Sequence, residues 1–118
     1  MKNLILIPFI SVLSLFMTSC SVEPRKTVPG EYQAGQETFH RECASCHGPD
    51  AMGGNRAPKL IQEIYSSNAY SDEKISGIIL NGSSSGAMPS LKGKVSDEEI
   101  KEIIKYIRYS QQSAGLGS

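Results

Sequence analysis

Only three cysteines and two histidines occur among the 118 residues, and the 12 lysines and arginines balance the 12 aspartates and glutamates. Each scarcity excludes a class of function. A nucleic-acid binder shows a basic excess or stripe, whereas charges here alternate in sign along the apparent helices, as on solvated faces. A structural zinc site takes four protein ligands, in closely spaced pairs; beyond Cys43, Cys46 and His47 there is only Cys20, far back in the chain, and His40, three residues before Cys43, so no second pair of donors exists. The chain also lacks internal repeats, low-complexity blocks and convincing strand patterns. A thioredoxin-like redox pair, whose Cys-x-x-Cys wants a βαβ setting, therefore has no context.

Two of the scarce cysteines and one histidine fall together, in Cys43-Ala44-Ser45-Cys46-His47. A Cys-x-x-Cys-His run is the attachment pattern of a c-type haem. Two thiols can saturate the two vinyl groups of the macrocycle as thioethers, and a two-residue spacer on a helical turn sets both sulfurs on one edge. His47 then lies under the iron as the proximal nitrogen ligand. A disulfide between Cys43 and Cys46 would close too small a loop to staple a fold and would leave His47 unexplained.

The length allows one domain at most. With an export signal removed, the remainder is small for a core built on buried area alone, and small domains lean on a cofactor or staple. Met1-Lys2-Asn3 is followed by an uncharged run from Leu4 to Met17, which reads as a signal peptide over 1–19. Met17-Thr18-Ser19-Cys20 resembles a bacterial lipoprotein cleavage box, with Met17 where leucine is commoner. It marks Cys20 as the lipidated new N-terminus. The alternative is an uncleaved anchor, since residues 3–22 carry no charge and a bilayer is crossed by about 20 helical residues. Either way the domain is expected outside the cytoplasm, on the periplasmic side and membrane-anchored. Residues 20–30, with two prolines and no apolar period, read as a flexible tether.

Tyr32, Gly35, Phe39, Cys43 and Cys46 recur at helical spacing, which predicts one amphipathic helix from Glu31 to Cys46 with both thiols on its buried face, ended by Gly48-Pro49. His40 is expected at the surface. Residues 48–60 read as loop, with Met52 on the same side of the iron as His47 and Arg56 a candidate for a haem propionate. A short helix is expected over Ile61 to Ser66, and a better one, capped by Ser71, with Ile75, Ile78 and Ile79 inward and Asn81-Gly82 stopping it. Met88 stands apart: it lies in a Ser/Gly-rich loop, precedes Pro89 and is 41 residues past His47. That is enough chain to offer its thioether from the other haem face. Ser96-Asp97-Glu98-Glu99 forms a capping box with Val95 and Ile100 as staple. The last helix, striped by Ile100, Ile103, Ile104 and Ile107 with Tyr106 and Tyr109 at its margin, is expected to end near Ser110 and to leave 111–118 as a disordered tail.

From Gly30 to Ser110 these residues resemble the class I mono-haem c-type cytochromes. Gly35, Phe39, Cys43, Cys46 and His47 stand on the first helix, Met88-Pro89 in a loop, and Ile103 and Tyr106 on the last helix. The resemblance implies an all-α fold over 31–110 with the first and last helices crossing at the Gly and aromatic pair, and one covalent haem c. It implies that the Pro58 carbonyl accepts from the His47 ring, and more weakly that Asn81 supports the Met88 loop. His47 and Met88 as metal ligands leave no open coordination site, so the expected function is one-electron transfer between redox protein partners, with no catalytic residue, no small-molecule substrate and no nucleic acid. Two alternatives stay open: an electron-entry subunit of a larger oxidoreductase complex, and a ligand-binding haem sensor or enzyme.

Overall fold

The computed structural model describes residues 20–117; the signal-peptide reading of 1–19 and the cleavage site lie outside the described residues, as does Ser118. Four helices form: α1 (Gly30–Glu42), α2 (Ala44–His47), α3 (Asp72–Asn81) and α4 (Asp97–Ser113), with short 3-10 turns at Pro49–Ala51 and Glu63–Tyr65. Among the described residues no strand forms, and no helix is long and apolar enough to cross a membrane.

The frame is the packing of α1 on α4. An ideal Cβ on Gly35 would lie 2.7 Å from the backbone carbon of Glu102 and 2.8 Å from Cβ of Tyr106, so the helices touch backbone to backbone there. Phe39 and Tyr106 meet beside this contact with ring centroids 5.5 Å apart, within the range of favourable aromatic pairs. Tyr106 is 1 % exposed and belongs to the core, not to its margin. Ile100, Ile103, Ile104 and Ile107 are all buried as their spacing predicts. Ser96 accepts from the Glu99 amide while the Glu99 carboxylate accepts from the Ser96 amide, the full capping box. Val95 and Ile100 are both buried in the core at the staple positions. Ser71 likewise caps α3 by accepting from Lys74 N–H.

Four further expectations about the fold are corrected. The first helix is not continuous to Cys46: Cys43 adopts φ −118°, ψ −34°, and the chain restarts as α2. His40 is buried at 5 % exposure. Its Nδ1 lies 2.7 Å from the Gln36 carbonyl and its Nε2 3.0 Å from the Asp50 amide. A carbonyl can only accept and an amide N–H can only donate, so Nδ1 carries the proton and Nε2 offers a lone pair. The third concerns the tail: α4 runs on to Ser113, Gln111 is 1 % exposed and Leu116 packs against the core. Its physical reason is the buried Gln111 amide, which supplies two hydrogen bonds to the loop across from it.

The fourth concerns the tether. Val22 and Val28 pack on the core, the Arg25 amide donates to Asp50 Oδ2 at 3.0 Å, and Gln36 Nε2 donates to the Lys26 carbonyl at 2.7 Å. The stretch is a strap laid along α1, stabilised by apolar burial and by two hydrogen bonds to side chains that are themselves mostly buried.

Burial makes Tyr106 an alkaline reporter of the fold. Its phenol is pushed up from 10.0 to about 12, chiefly by desolvation and then by the negative charge of Asp50, with hydrogen bonding to Ser110 and Gln36 opposing. The folded state therefore favours the neutral phenol. Its contribution is fully present below pH 10, where the unfolded chain also keeps the proton, and is lost as pH rises through the folded value near 12. Two units correspond to about 3 kcal/mol. Denaturation midpoints measured from pH 9 to 12 should fall more steeply in the wild type than in Tyr106→Phe; parallel profiles would refute this assignment.

Candidate haem site

The attachment motif sits where α1 gives way to α2. Cys43 N–H donates to the Phe39 carbonyl at 2.7 Å, closing α1, and the Cys43 carbonyl accepts from His47 N–H at 2.9 Å, opening the single turn that carries Cys46 and His47. Cys43 is buried and Cys46 half-buried, and neither is in a disulfide. Desolvation, followed by the nearby Glu42 charge, pushes the Cys43 thiol up to about 12.

His47 is half-buried, and its Nδ1 lies 2.9 Å from the Pro58 carbonyl. Since the carbonyl can only accept, Nδ1 is the protonated nitrogen, and Nε2 is left with its lone pair for a metal. The loop that delivers Pro58 is built back onto the motif: Gly53 N–H donates to the His47 carbonyl at 2.7 Å, Gly54 N–H to Ala57 at 3.2 Å, and Leu60 N–H to Ala51 at 2.9 Å. Within it Asp50 and Ala51 hold φ of 55° and 59°, the left-handed region that costs residues bearing a Cβ roughly 1–2 kcal/mol each. The compensation is visible. The Asp50 amide donates to His40, its Oδ2 accepts from Arg25, and Ala51 is fully buried. No local pattern announces this turn; the signal was His40, whose buried ring is its anchor.

Met88 is held from two sides. Its amide donates to Ser83 Oγ and its carbonyl accepts from Ser83 N–H, both at 3.0 Å. Gly82, at φ 80°, follows the end of α3, and a Cβ there would lie 2.7 Å from the Met88 carbonyl oxygen, so the loop closes only over glycine. Ser90 Oγ donates to the Leu80 carbonyl and Leu91 N–H to the Ile79 carbonyl, fixing the far end of the loop to α3. Between exposed Ala87 and Pro89, Met88 is half-buried and packs against the core. Asn81 takes no part in this: its amide donates to Gly77 within its own helix at 2.9 Å, an ordinary i−4 contact, and Ser83 does the work expected of it. Met52 is 44 % exposed and Arg56 is exposed on the 48–60 loop.

The donor chemistry suits a c-type haem. Two unpaired thiols, an imidazole with one nitrogen committed to a carbonyl, and a clamped thioether are the groups needed. Leu60, Ile75 and Leu80, like Met88, are partly buried at the edge of the core cluster and offer apolar surface to a flat macrocycle.

Helices α1 and α4 crossed at Gly35, with a Cys-x-x-Cys-His turn at the end of the first, define a small c-type cytochrome. The family model described as cytochrome c oxidase, cbb3-type, subunit III matches residues 30–107, and the chain belongs to that family. It is 35 % identical over 83 residues to cytochrome c6 of Euglena viridis, covering 68 % of this chain and 92 % of that protein. It is 32 % identical over 81 residues to the cbb3-type cytochrome c oxidase subunit FixPc of Rhizobium leguminosarum bv. viciae, covering 67 % of this chain but only 28 % of that one. The solved structure of cytochrome c6 from the diatom Phaeodactylum tricornutum superposes with a TM-score of 0.56 at 26 % identity, covering 71 % of this chain and 98 % of that one. The fold is thus the all-α cytochrome c fold, the cofactor is a covalently bound haem c, and the activity is haem-based electron transfer.

Proposed function

We propose that this chain is a one-electron carrier in which Cys43 and Cys46 hold the haem, and His47 and Met88 are its axial ligands. The haem supplies a single iron that alternates between the ferrous and ferric states. The protein's part is to keep that change small in structure. Pro58 fixes the imidazole ring, Ser83 and Gly82 fix the thioether, and the apolar residues around them exclude water. Arg56 is a candidate partner for a propionate.

The observation that carries the reading is the contrast between the two methionines of the described domain. Met88 is clamped by Ser83 and packed inward, whereas Met52 is exposed on the loop that follows His47. With both axial positions occupied by side chains, no coordination site is left for a substrate. A redox titration of the purified holoprotein should therefore give one single-electron wave, and the ferric form should carry a sulfur-to-iron absorption at the red edge of the visible spectrum. A ferric spectrum without that absorption would refute the ligation.

We place the domain on the periplasmic side of a membrane, with Cys20 as a lipidated N-terminus; Thr18-Ser19-Cys20 after an apolar run supports this. Mass spectrometry of the mature protein should find cleavage before Cys20 and acyl chains upon it, and an intact Met1 or an unlipidated new terminus would refute it. A second reading is favoured by the family description: the same domain serving as the electron-entry subunit of a larger oxidoreductase. It shares the site chemistry and differs in having a fixed redox partner, which co-purification after mild solubilisation would reveal.

A further inference from the structure

Gln111, near the end of α4, is polar yet 1 % exposed. Its amide is saturated. Nε2 donates to the Leu60 carbonyl at 3.0 Å and to the Tyr65 carbonyl at 2.9 Å, while Oε1 accepts from Arg108 Nη1 at 2.8 Å. Burying an amide is unfavourable unless its hydrogen bonds are made, so this side chain holds a defined position. What it holds is the segment bearing the carbonyl that faces His47. Pro58 is two residues before Leu60, and Leu60 is pinned on both sides, its N–H to Ala51 and its carbonyl to Gln111. Arg108 adds a further bond to the Tyr65 carbonyl at 2.8 Å.

We propose that Gln111 is a positioning residue for His47: through Leu60 it sets the Pro58 carbonyl at hydrogen-bond distance from His47 Nδ1, and so tunes the electron density of the imidazole. The inference rests on His47 being the proximal ligand. Donation from Nδ1–H to a carbonyl makes the ring a stronger donor to the metal and favours the ferric state; a looser Pro58 carbonyl weakens that effect and raises the potential.

Gln111→Met keeps the length and loses both donors; Gln111→Glu keeps an acceptor for Arg108 but, ionised, cannot donate to Leu60. In the reduced holoprotein, exchange of the His47 Nδ1 proton with solvent, followed by NMR, should accelerate at least tenfold in both variants, and the midpoint potential should shift upward. Ile107→Val, a core change on the same helix, should lower stability and leave both readouts in place. If the Gln111 variants lose stability while Nδ1 exchange and potential match the wild type, Gln111 is structural only and the proposal fails. A failure of the underlying ligation would show separately and in the wild type, as His47 ring signals lacking the large shift imposed by a haem directly above them.

Discussion

Replacing Met88 by alanine should open the iron. The ferric protein loses its sulfur-to-iron absorption at the red edge of the visible spectrum, external ligands bind readily, and the potential falls by a few tenths of a volt, within the roughly 0.8 V range that axial ligation commands. The physical reason is the softness of the thioether, which favours ferrous iron relative to water or a harder donor. The polypeptide itself should hold. The loop is clamped through the Met88 backbone by Ser83 and through Ser90 and Leu91 to α3, none of which needs the Met88 side chain. Met52→Ala is the control, and all three observables should stay as in the wild type, because Met52 is exposed on the proximal loop. An unchanged spectrum in Met88→Ala, or a changed one in Met52→Ala, would reassign the ligand.

Gly35→Ala should destabilise the domain by up to about 2 kcal/mol, although alanine is the better helix former. Two effects oppose each other. Helix propensity favours alanine by about 1 kcal/mol, while overpacking a tight contact costs about 1–3 kcal/mol and occasionally more. The second wins here because the new methyl would meet the main chain of Glu102 and Cβ of Tyr106 at under 3 Å, and neither can move without separating α1 from α4. Chemical denaturation of the holoproteins gives the comparison. A Gly35→Ala midpoint equal to or above the wild type would mean that the helices do not approach as closely as described.

The same glycine shows how far the sequence could be read. A Gly in mid-helix, four residues before Phe39, signals a close approach because it is otherwise unfavourable there, and the apolar stripe of α4 with its capping box is a purely local pattern. Both are governed by neighbours three or four residues apart. Cys43, Cys46 and His47 are likewise contiguous, so their chemistry needs no tertiary information. What escaped depends on contacts between distant segments. His40 is an ordinary helical histidine until Asp50 comes back to donate to it, and Gln111 is an ordinary tail residue until Leu60 and Tyr65 present their carbonyls. The strap over α1 hides in the same way, since its two prolines suggest a free linker while Val22 and Val28 find the core. Asn81 and Ser83 differ by two positions in one Ser/Gly-rich stretch, and only the turn at Gly82 decides which of them faces the Met88 backbone.

The central claim is that Met88 and His47 close both axial positions, making the domain a carrier of electrons rather than a site for substrates. Exposure of the reduced wild-type holoprotein to carbon monoxide tests this most directly. Spectra recorded within seconds of mixing at neutral pH should be unchanged, with binding appearing only in Met88→Ala. Fast and complete formation of the carbon monoxide adduct in the wild type would show an open sixth position and would replace the carrier with a ligand-binding sensor or enzyme.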